Sequence, residues 1–213
     1  MARRRKLTAS IVGATVEYQG FLSIRRYEIE EDRHAGGRQR VMRLIMERGH
    51  SVAVLAYDPL QDQVVLVNEL RPGILAAGGP PFSDALIAGG IGPGESALEA
   101  AIRETREEAG LELRGPTVIH ERAYVSPGGT SEGITIVYGS VTAPSAGEAH
   151  GNDHEQENIR TTILTSRRLM NRIRGGEISD LKTIVAGYWL MANRARLRRE
   201  QPSRAEPGIA SGP

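Results

Sequence analysis

The sequence has no cysteine and few aromatic residues, with one tryptophan and two phenylalanines among 213 residues. The lack of cysteine excludes a disulfide framework and a thiolate zinc site, and it fits a reducing compartment. No apolar run approaches the length of a membrane-spanning helix, and residues 1–10 lack the apolar core of a signal peptide. These absences predict a soluble cytoplasmic protein with no membrane partner.

The sequence also lacks an excess of either charge. Its formal net charge is +1, which gives no overall sign of a nucleic-acid partner. A basic run occupies residues 3–6, but no aromatic residue is interleaved with it, so we interpret residues 1–10 as a solvated, flexible tail. Residues 201–213 are rich in Pro, Gly, Ser and Ala and are predicted to be disordered.

Residues 89–111, GGIGPGESALEAAIRETREEAGL, carry most of the chemical information. Their glycines, glutamates and arginine have the spacing G-x5-E-x7-R-E-x-x-E-E-x-G. Ser96 and Glu99 form a capping-box pattern, which predicts a helix that begins near Ala97. Gly110 stands where a left-handed helix end favours a residue without a Cβ. The pattern therefore predicts one helix between these two signals.

One face of this helix is predicted to pack inward and another to carry acidic side chains. The residues expected to be buried are Leu98, Ile102, Thr105 and Ala109. Glu104 and Glu108 lie one turn apart on a different face, with Glu107 beside them. Like charges at this spacing repel, and a divalent cation with hard oxygen ligands, Mg²⁺ or Mn²⁺, removes the repulsion. The alternative is a solvated acidic face with Arg103 and Arg106 as intrahelical partners.

The rest of the pattern predicts a mixed sheet flanked by helices. An N-terminal pair of strands is too small to be stable alone. A hairpin follows it, and its near-continuous apolar strands predict burial on both faces. The predicted strands are 15–30, 40–48, 50–57, 63–70, 86–88, 117–124, 133–142 and 159–164. A loop is predicted at 73–82, and two further helices are expected, one capped by Ser166 and ending at Arg174, one capped by Ser179 and ending near Arg199.

The spacing in residues 89–111 is that of the Nudix box, and the chain resembles the bacterial ADP-ribose pyrophosphatases of that family along nearly its whole length. The segments that carry the resemblance are ERGHSVAVLAYDP, VVLVNELR, AGGIGPGES, SPGGTSE, HEQENIR and IVAGYWL. The resemblance implies an α/β/α sandwich around a mixed sheet, preceded by a small strand domain that is exchanged across a homodimer. We place the strand domain at residues 11–48 and the Nudix domain at 49–200. The implied reaction is metal-dependent cleavage of the pyrophosphate of ADP-ribose to AMP and ribose 5-phosphate.

The resemblance also assigns metal-binding and catalytic residues. The metal-binding set is Ala88, through its backbone carbonyl, Glu104, Glu107 and Glu108. Residues 143–158, APSAGEAHGNDHEQEN, form a long loop without periodicity, and such loops tend to be functional or disordered. In this loop Glu155 stands where the family has its catalytic base. Glu157 and the box residue Glu107 are the other catalytic candidates.

Substrate contacts are implied in three parts of the chain. The residues are Phe21, Arg43, Arg71, Ser126, Gly129 and Glu132. The two arginines stand where the family contacts phosphate and ribose, and the phenylalanine stands where an aromatic side chain of the partner subunit packs on adenine. The last three residues belong to the SPGGTSE segment, a wall of the same site. Without the resemblance, the arginines would be interpreted as surface residues and the phenylalanine as part of the core.

The sequence departs from the family's pattern just before the box. Ala85 stands where relatives carry a glutamate, Ser83 and Asp84 replace apolar residues, and the family's tryptophan is missing. These departures bear on the substrate more than on the reaction. Two further functions therefore stay open: hydrolysis of another nucleoside diphosphate sugar such as GDP-mannose, and a non-catalytic sensor that binds an ADP-ribose derivative.

Overall fold

The computed structural model describes residues 6–150 and 158–200. The predicted catalytic residues Glu155 and Glu157, residues 1–5 of the predicted flexible tail and the predicted disordered tail at 201–213 lie outside the described residues. The prediction of a flexible tail over residues 1–10 is wrong at its end, because the first strand begins at Ala9. Within the described ranges the chain forms eleven strands and four helices. Their bounds are β1 Ala9–Gln19, β2 Ser23–Asp32, β3 Arg38–Glu47, β4 Ser51–Asp58, β5 Gln63–Leu70, α1 Pro72–Ala76, β6 Phe82–Ala85, β7 Ile87–Gly90, α2 Ala97–Ala109, β8 Arg114–Tyr124, β9 Gly133–Ser140, β10 Ala149–His150, β11 Ile159–Thr165, α3 Ser166–Arg174 and α4 Leu181–Arg199. None of these helices is long and apolar enough to cross a membrane.

The described residues pack into two compact units. The first contains the chain up to Ser51 together with Arg122–Ile134, and the second contains Val52–Glu121 and the chain from Thr135 onward. The segment Arg122–Ile134 is a part of the first unit that no sequence pattern indicated.

The first unit contains a three-stranded antiparallel sheet in the order β1-β2-β3. The prediction of one strand over residues 15–30 is wrong, because the chain reverses at Gly20, whose N–H donates to the carbonyl of Leu22. Residues of high strand propensity flank this turn on both sides, so Gly20 is the only residue in this part of the sequence that indicates a turn. A Cβ at Gly20 would lie 2.4 Å from the hydroxyl oxygen of Tyr18, so a larger residue there would require this exposed side chain to move.

The second unit is built on a mixed sheet in the order β10-β11-β5-β4-β9-β8, with β6 paired to β5 and β7 to β4. The predicted hairpin is present, since β4 and β5 pair antiparallel from Asp58 and Gln63. Val52 to Tyr57 are fully buried, which confirms the predicted burial on both faces. The apolar runs have no polar alternation because helices cover both sides.

The helices of the second unit lie on opposite faces of this sheet. Ala100 and Ala101 of α2 share one core cluster with Val65 and Val67 of β5. Asn68 points to the other face of β5. It bonds to Asp84, which in turn pairs with Arg172 of α3. Helix α4 packs against α3, and a Cβ at Gly187 of α4 would lie 2.5 Å from Ile173, so the glycine permits the close approach. The unit is therefore an α/β/α sandwich.

Asp62, in the turn between β4 and β5, connects this turn to helices α3 and α4. It accepts hydrogen bonds from the Tyr57 hydroxyl at 2.8 Å, the Ser166 hydroxyl at 2.8 Å and Nε of Arg194 at 2.7 Å. Burial alone would raise the pKa of Asp62, but these hydrogen bonds outweigh it and lower the pKa to about 2. The turn, the start of α3 and the end of α4 are thus held by one carboxylate.

Several local predictions were displaced by a residue or more. The caps of α3 and α4 are Thr165 and Asp180, rather than Ser166 and Ser179. At both sites two residues able to cap stand side by side, and only the backbone geometry decides between them. The predicted loop at 73–82 contains the short helix α1, which has Pro72 in its first turn. The strand predicted at 86–88 corresponds to β7, and the further short strand β6 precedes it where no strand was predicted.

Candidate active site

Helix α2 has the ends that the sequence predicts. The Ser96 hydroxyl accepts the Glu99 N–H at 3.2 Å, and the Glu99 carboxylate accepts the Ser96 N–H at 2.8 Å, which completes the capping box. These bonds lower the pKa of Glu99. At the other end Gly110 has φ of 64°, the left-handed conformation expected of it. The two signals fix where the acidic residues of α2 stand along the helix.

The buried face of α2 differs from the predicted stripe. Thr105 and Ala109 are buried as expected, but Ile102 is 45% exposed. Glu104 and Glu108 are buried instead, with 8% and 4% of their surfaces exposed. Helical spacing alone did not reveal this, because the rule assigns apolar residues to the inside and acidic residues to solvent. Buried carboxylates require compensation by hydrogen bonds, cations or protonation, so they are candidates for function.

These two carboxylates line a cleft of about 370 Å³ between α2 and the segment from Ala88 to Gly92. The Ala88 N–H donates to Oε2 of Glu108 at 3.1 Å. A Cβ at Gly89 would lie 1.9 Å from Oε1 of Glu104. The first glycine of the box therefore leaves the space in which the Glu104 carboxylate sits.

Arg103 neutralises much of the negative charge around the cleft. Its guanidinium donates to Glu95 at 2.9 Å, to Glu104 at 2.7 Å and to Glu107 at 3.0 Å, and it also bonds to the carbonyl of Gly90. The hydrogen bond to Glu95 is the largest of the effects that raise the pKa of Arg103, and the same bond lowers the pKa of Glu95. In the sequence, Arg103 is the arginine of the box motif, and the only pairing that helical spacing predicts for it is intrahelical. Its position as the centre of the acidic cluster was missed.

The third predicted carboxylate stands apart from the other two. Glu107 is 46% exposed at its side chain, pairs with Arg103, and does not line the cleft. Among the described residues no three His, Asp or Glu side chains form a group arranged to hold a metal. The alternative of a solvated acidic face describes Glu107 but not the buried Glu104 and Glu108.

The donors at the cleft nevertheless fit a hard divalent cation. Glu104 and Glu108 bring carboxylate oxygens to one side of the cleft, and Ala88 belongs to the same lining. All of these donors are oxygens, the chemistry that suits Mg²⁺ or Mn²⁺.

Arg71, the predicted phosphate contact of the second unit, follows the end of β5. Its Nη1 pairs with Oε1 of Glu69 at 2.7 Å, and its N–H donates to the carbonyl of Pro81. The pairing of Glu69 with Arg71 was not predicted from the sequence, and the only signal for it was the position of Glu69 two residues before Arg71.

The other predicted substrate residues belong to the first unit. Phe21 is 96% exposed, so the alternative that places it in the core is wrong. Arg43 is also exposed, and its Nη1 donates to the carbonyl of Met42. Both side chains are exposed at the surface of this unit, as a contact with another molecule requires.

The SPGGTSE segment is hydrogen-bonded to the end of β3 within the first unit. The Met46 N–H donates to the carbonyl of Gly129, and the Ser126 carbonyl accepts from the N–H of Gly129. Glu132 is 8% exposed and accepts a hydrogen bond from the Ser51 hydroxyl at 2.8 Å. In the structure Gly129 and Glu132 thus hold the segment in place.

The described start of the acidic loop is firmly anchored. The N–H of Glu148 donates to Oγ1 of Thr161 at 2.8 Å, and β10 pairs with β11. A Cβ at Gly147 would lie 2.1 Å from the carbonyl oxygen of Thr161. The chain therefore enters residues 151–157 from a fixed position.

Comparison with known proteins defines the class. The profile of the NUDIX domain matches residues 47–178. The chain therefore belongs to the Nudix family. It is 32% identical to the ADP-ribose pyrophosphatase of Escherichia coli K12 over 196 residues, which cover 92% of this chain and 93% of the relative. It is also 32% identical to the ADP-ribose pyrophosphatase of Haemophilus influenzae, with coverage of 89% and 88%.

Similarity at lower sequence identity extends to a second kind of pyrophosphatase and to a solved structure. The GDP-mannose pyrophosphatase of Cronobacter sakazakii is 24% identical over 179 residues, which cover 84% of this chain and 93% of the relative. A crystal structure of an ADP compounds hydrolase superposes with a TM-score of 0.65 and 19% identity, over 87% of this chain and 95% of that one. The superposition supports the Nudix fold described above.

Proposed function

We propose that this protein hydrolyses the pyrophosphate bond of ADP-ribose to AMP and ribose 5-phosphate with the help of a divalent cation. The buried pair Glu104 and Glu108, in a cleft beside Ala88, is the observation that carries the reaction. The choice of ADP-ribose is supported by the full-length similarity to ADP-ribose pyrophosphatases.

Each box residue has a role in this proposal. Glu104, Glu108 and the Ala88 carbonyl would hold the cation, with Glu107 joining them after release from Arg103. The bound cation, Mg²⁺ or Mn²⁺, supplies neutralisation of phosphate charge and a lower pKa for the attacking water. Arg103 orients the carboxylates before the cation arrives, since it bonds to Glu95 and Glu104 together.

Residues outside the box complete the proposal. Glu155 takes the proton of the attacking water, with Glu157 as the second candidate, and Arg71 contacts a phosphate. General-base catalysis of this kind typically contributes about 10² to 10⁴ in rate. Ser126, Gly129 and Glu132 are proposed to form a wall of the substrate site.

We further propose a cytoplasmic homodimer in which Phe21 and Arg43 of one chain complete the site of the other. The exposed apolar surface of the first unit supports this: Phe21, Ile11 and Leu44 are 96%, 63% and 59% exposed. A sheet of this size with exposed apolar side chains is not stable alone, which favours association with a second copy of the chain.

A second candidate function is hydrolysis of GDP-mannose. It is favoured by the similarity to a GDP-mannose pyrophosphatase. Asp84 is one of the departures before the box, which bear on the choice of substrate. Asp84 accepts hydrogen bonds from Asn68 at 2.7 Å and Thr162 at 3.1 Å. An apolar residue at this position of β6 could not make these bonds.

A panel of nucleoside diphosphate compounds, incubated with Mg²⁺ and followed by separation of the products, tests the proposal. We expect ADP-ribose to give AMP and ribose 5-phosphate with the highest kcat/KM. A higher kcat/KM for GDP-mannose would transfer the assignment to the second candidate. Tight binding of ADP-ribose with no turnover of any compound would favour a sensor.

A further inference from the structure

Glu69 and Ser83 lie on the face of the sheet that carries the cleft. Val67 of β5 belongs to the core cluster that includes Ala100 and Ala101 of α2. Side chains two residues apart in a strand share a face, so Glu69 points to the same side as Val67. In the antiparallel pairing of β5 with β6, Ser83 is the direct partner of Glu69. The two side chains are therefore neighbours.

Glu69 forms an ion pair with only one nitrogen of the Arg71 guanidinium. Oε1 of Glu69 lies 2.7 Å from Nη1, and the two side chains are 20% and 27% exposed. A half-buried pair of this kind is screened less by solvent than a surface pair. The carboxylate and the guanidinium together carry no net charge, so any recognition by this pair depends on the direction of the remaining N–H groups.

Two polar atoms next to this pair have unused hydrogen-bonding capacity. Nη2 of Arg71 and Oγ of Ser83 are shielded from solvent, and within the described residues neither has a hydrogen-bond partner. An unpaired buried polar group carries a free-energy cost and calls for an explanation. A phosphate oxygen accepts hydrogen bonds from a guanidinium and a hydroxyl alike.

We propose that Glu69 is a positioning residue for Arg71 and that it holds the guanidinium so that Nη2, together with the Ser83 hydroxyl, meets a phosphate oxygen of the nucleoside diphosphate. This inference rests on the proposed function, which gives Arg71 its phosphate contact. An oxygen reaches Nη2 after a local shift of the side chain, and Arg71 follows the last residue of β5, where such a shift leaves the ladder intact. Because Nη2 and Oγ are shielded from solvent, the new hydrogen bond is stronger than it would be in water.

A double-mutant cycle tests the inference through KM. Glu69→Ala is expected to raise KM for ADP-ribose about tenfold and to change kcat less than about threefold, because the lost interaction is made in the ground state as well. Glu69→Gln keeps an acceptor for Nη1 and should stay within about threefold of the wild-type KM. In an Arg71→Ala background, Glu69→Ala should have no further effect, since it acts through the missing side chain. Ser83→Ala should raise KM about threefold or more.

Glu112→Ala is the matched control. Glu112 also pairs with the arginine two residues later, Arg114, at 3.3 Å, but its side chain is 78% exposed. This variant should leave KM and kcat unchanged. The positioning role would be overturned by either of two results. One is that the effects of Glu69→Ala and Arg71→Ala on KM are additive, and the other is that Glu69→Gln raises KM as much as Glu69→Ala does.

The outcome is distinguishable from a failure of the proposed function. If the wild type hydrolyses another nucleoside diphosphate compound better than ADP-ribose, the same cycle is measured with that compound, because the phosphate is common to all of them. If the wild type hydrolyses none, the cycle is measured by calorimetric titration with ADP. Coupling between Glu69 and Arg71 in ADP affinity would support the inference, and absence of ADP binding or of coupling would overturn it.

Discussion

Gly89 and Glu104 occupy complementary volumes in the cleft, since a Cβ at Gly89 would lie 1.9 Å from Oε1 of Glu104. The side chain of Glu104 is thus buried against backbone that has no side chain of its own. The same glycine begins the box motif, so the spacing in the sequence reflects a steric requirement of the Glu104 carboxylate.

Gly89→Ala is therefore expected to displace the Glu104 carboxylate and to lower kcat about tenfold or more, because misplaced catalytic groups lose rate steeply. Gly90→Ala is the matched control, since a Cβ at Gly90 meets no atom within 4 Å. Steady-state kinetics of both variants, with thermal unfolding to confirm the fold, makes the comparison. Equal activities of the two variants would contradict the steric account.

The Asp62 carboxylate should make stability depend on pH in acid. Its pKa of about 2 in the folded state lies below the usual value near 3.9 in an unfolded chain. A lowered folded pKa contributes stability that is complete above the unfolded value and is lost as the pH falls through the folded value. We expect the free energy of unfolding to fall by about 1 to 2 kcal/mol between about pH 5 and pH 2 on account of this group, after discounting for partial exposure.

Asp62→Asn keeps a residue that tolerates the φ of 58° at this position and removes the charge. Urea unfolding of the variant across this pH range should show a smaller loss of stability than the wild type. A variant with the pH dependence of the wild type would show that Asp62 does not carry the effect.

The proposed exchange of residues between subunits predicts complementation. Arg43→Ala and Glu108→Gln homodimers should each have little activity. A hybrid dimer has one site in which both residues are intact, so an equal mixture, after subunits exchange, should recover about a quarter of wild-type activity. Sedimentation measures whether the chains form dimers, and the rate of product formation measures how much activity the mixture recovers. An inactive mixture, or a fully active monomer, would refute the shared site.

The base assignment predicts a change in rate without a change in affinity. Glu155→Gln should lower kcat by about 10² or more and leave ligand affinity nearly unchanged, because a general base acts mainly in the transition state. Glu157→Gln should have a smaller effect. Single-turnover hydrolysis and equilibrium binding separate the two quantities. A kcat of Glu155→Gln within about threefold of the wild type would move the base to another residue.

Local signals in the sequence predicted helix α2 well and the network around it poorly. Ser96, Glu99 and Gly110 act within a few residues of one another, so their pattern specifies both helix ends. Contacts distant in sequence left no such pattern, and Asp62 binds Arg194 although 132 residues separate them. Ile102 was wrongly placed inside because burial of Glu104 contradicts the apolar rule for helix faces. The sequence alone does not show that an arginine compensates that burial.

Release of AMP from ADP-ribose by the wild type and by Glu108→Gln, measured across a Mg²⁺ titration, tests the central proposal most directly. Glu108 is 4% exposed and accepts the Ala88 N–H, so the substitution removes a charge while it preserves the volume of the side chain. The proposal predicts that the wild type releases AMP only with added Mg²⁺, and that Glu108→Gln at limiting Mg²⁺ is at least about 10² slower with its fold intact. AMP release by Glu108→Gln at the wild-type rate under limiting Mg²⁺ would contradict the assignment of this cleft as the metal-dependent active site.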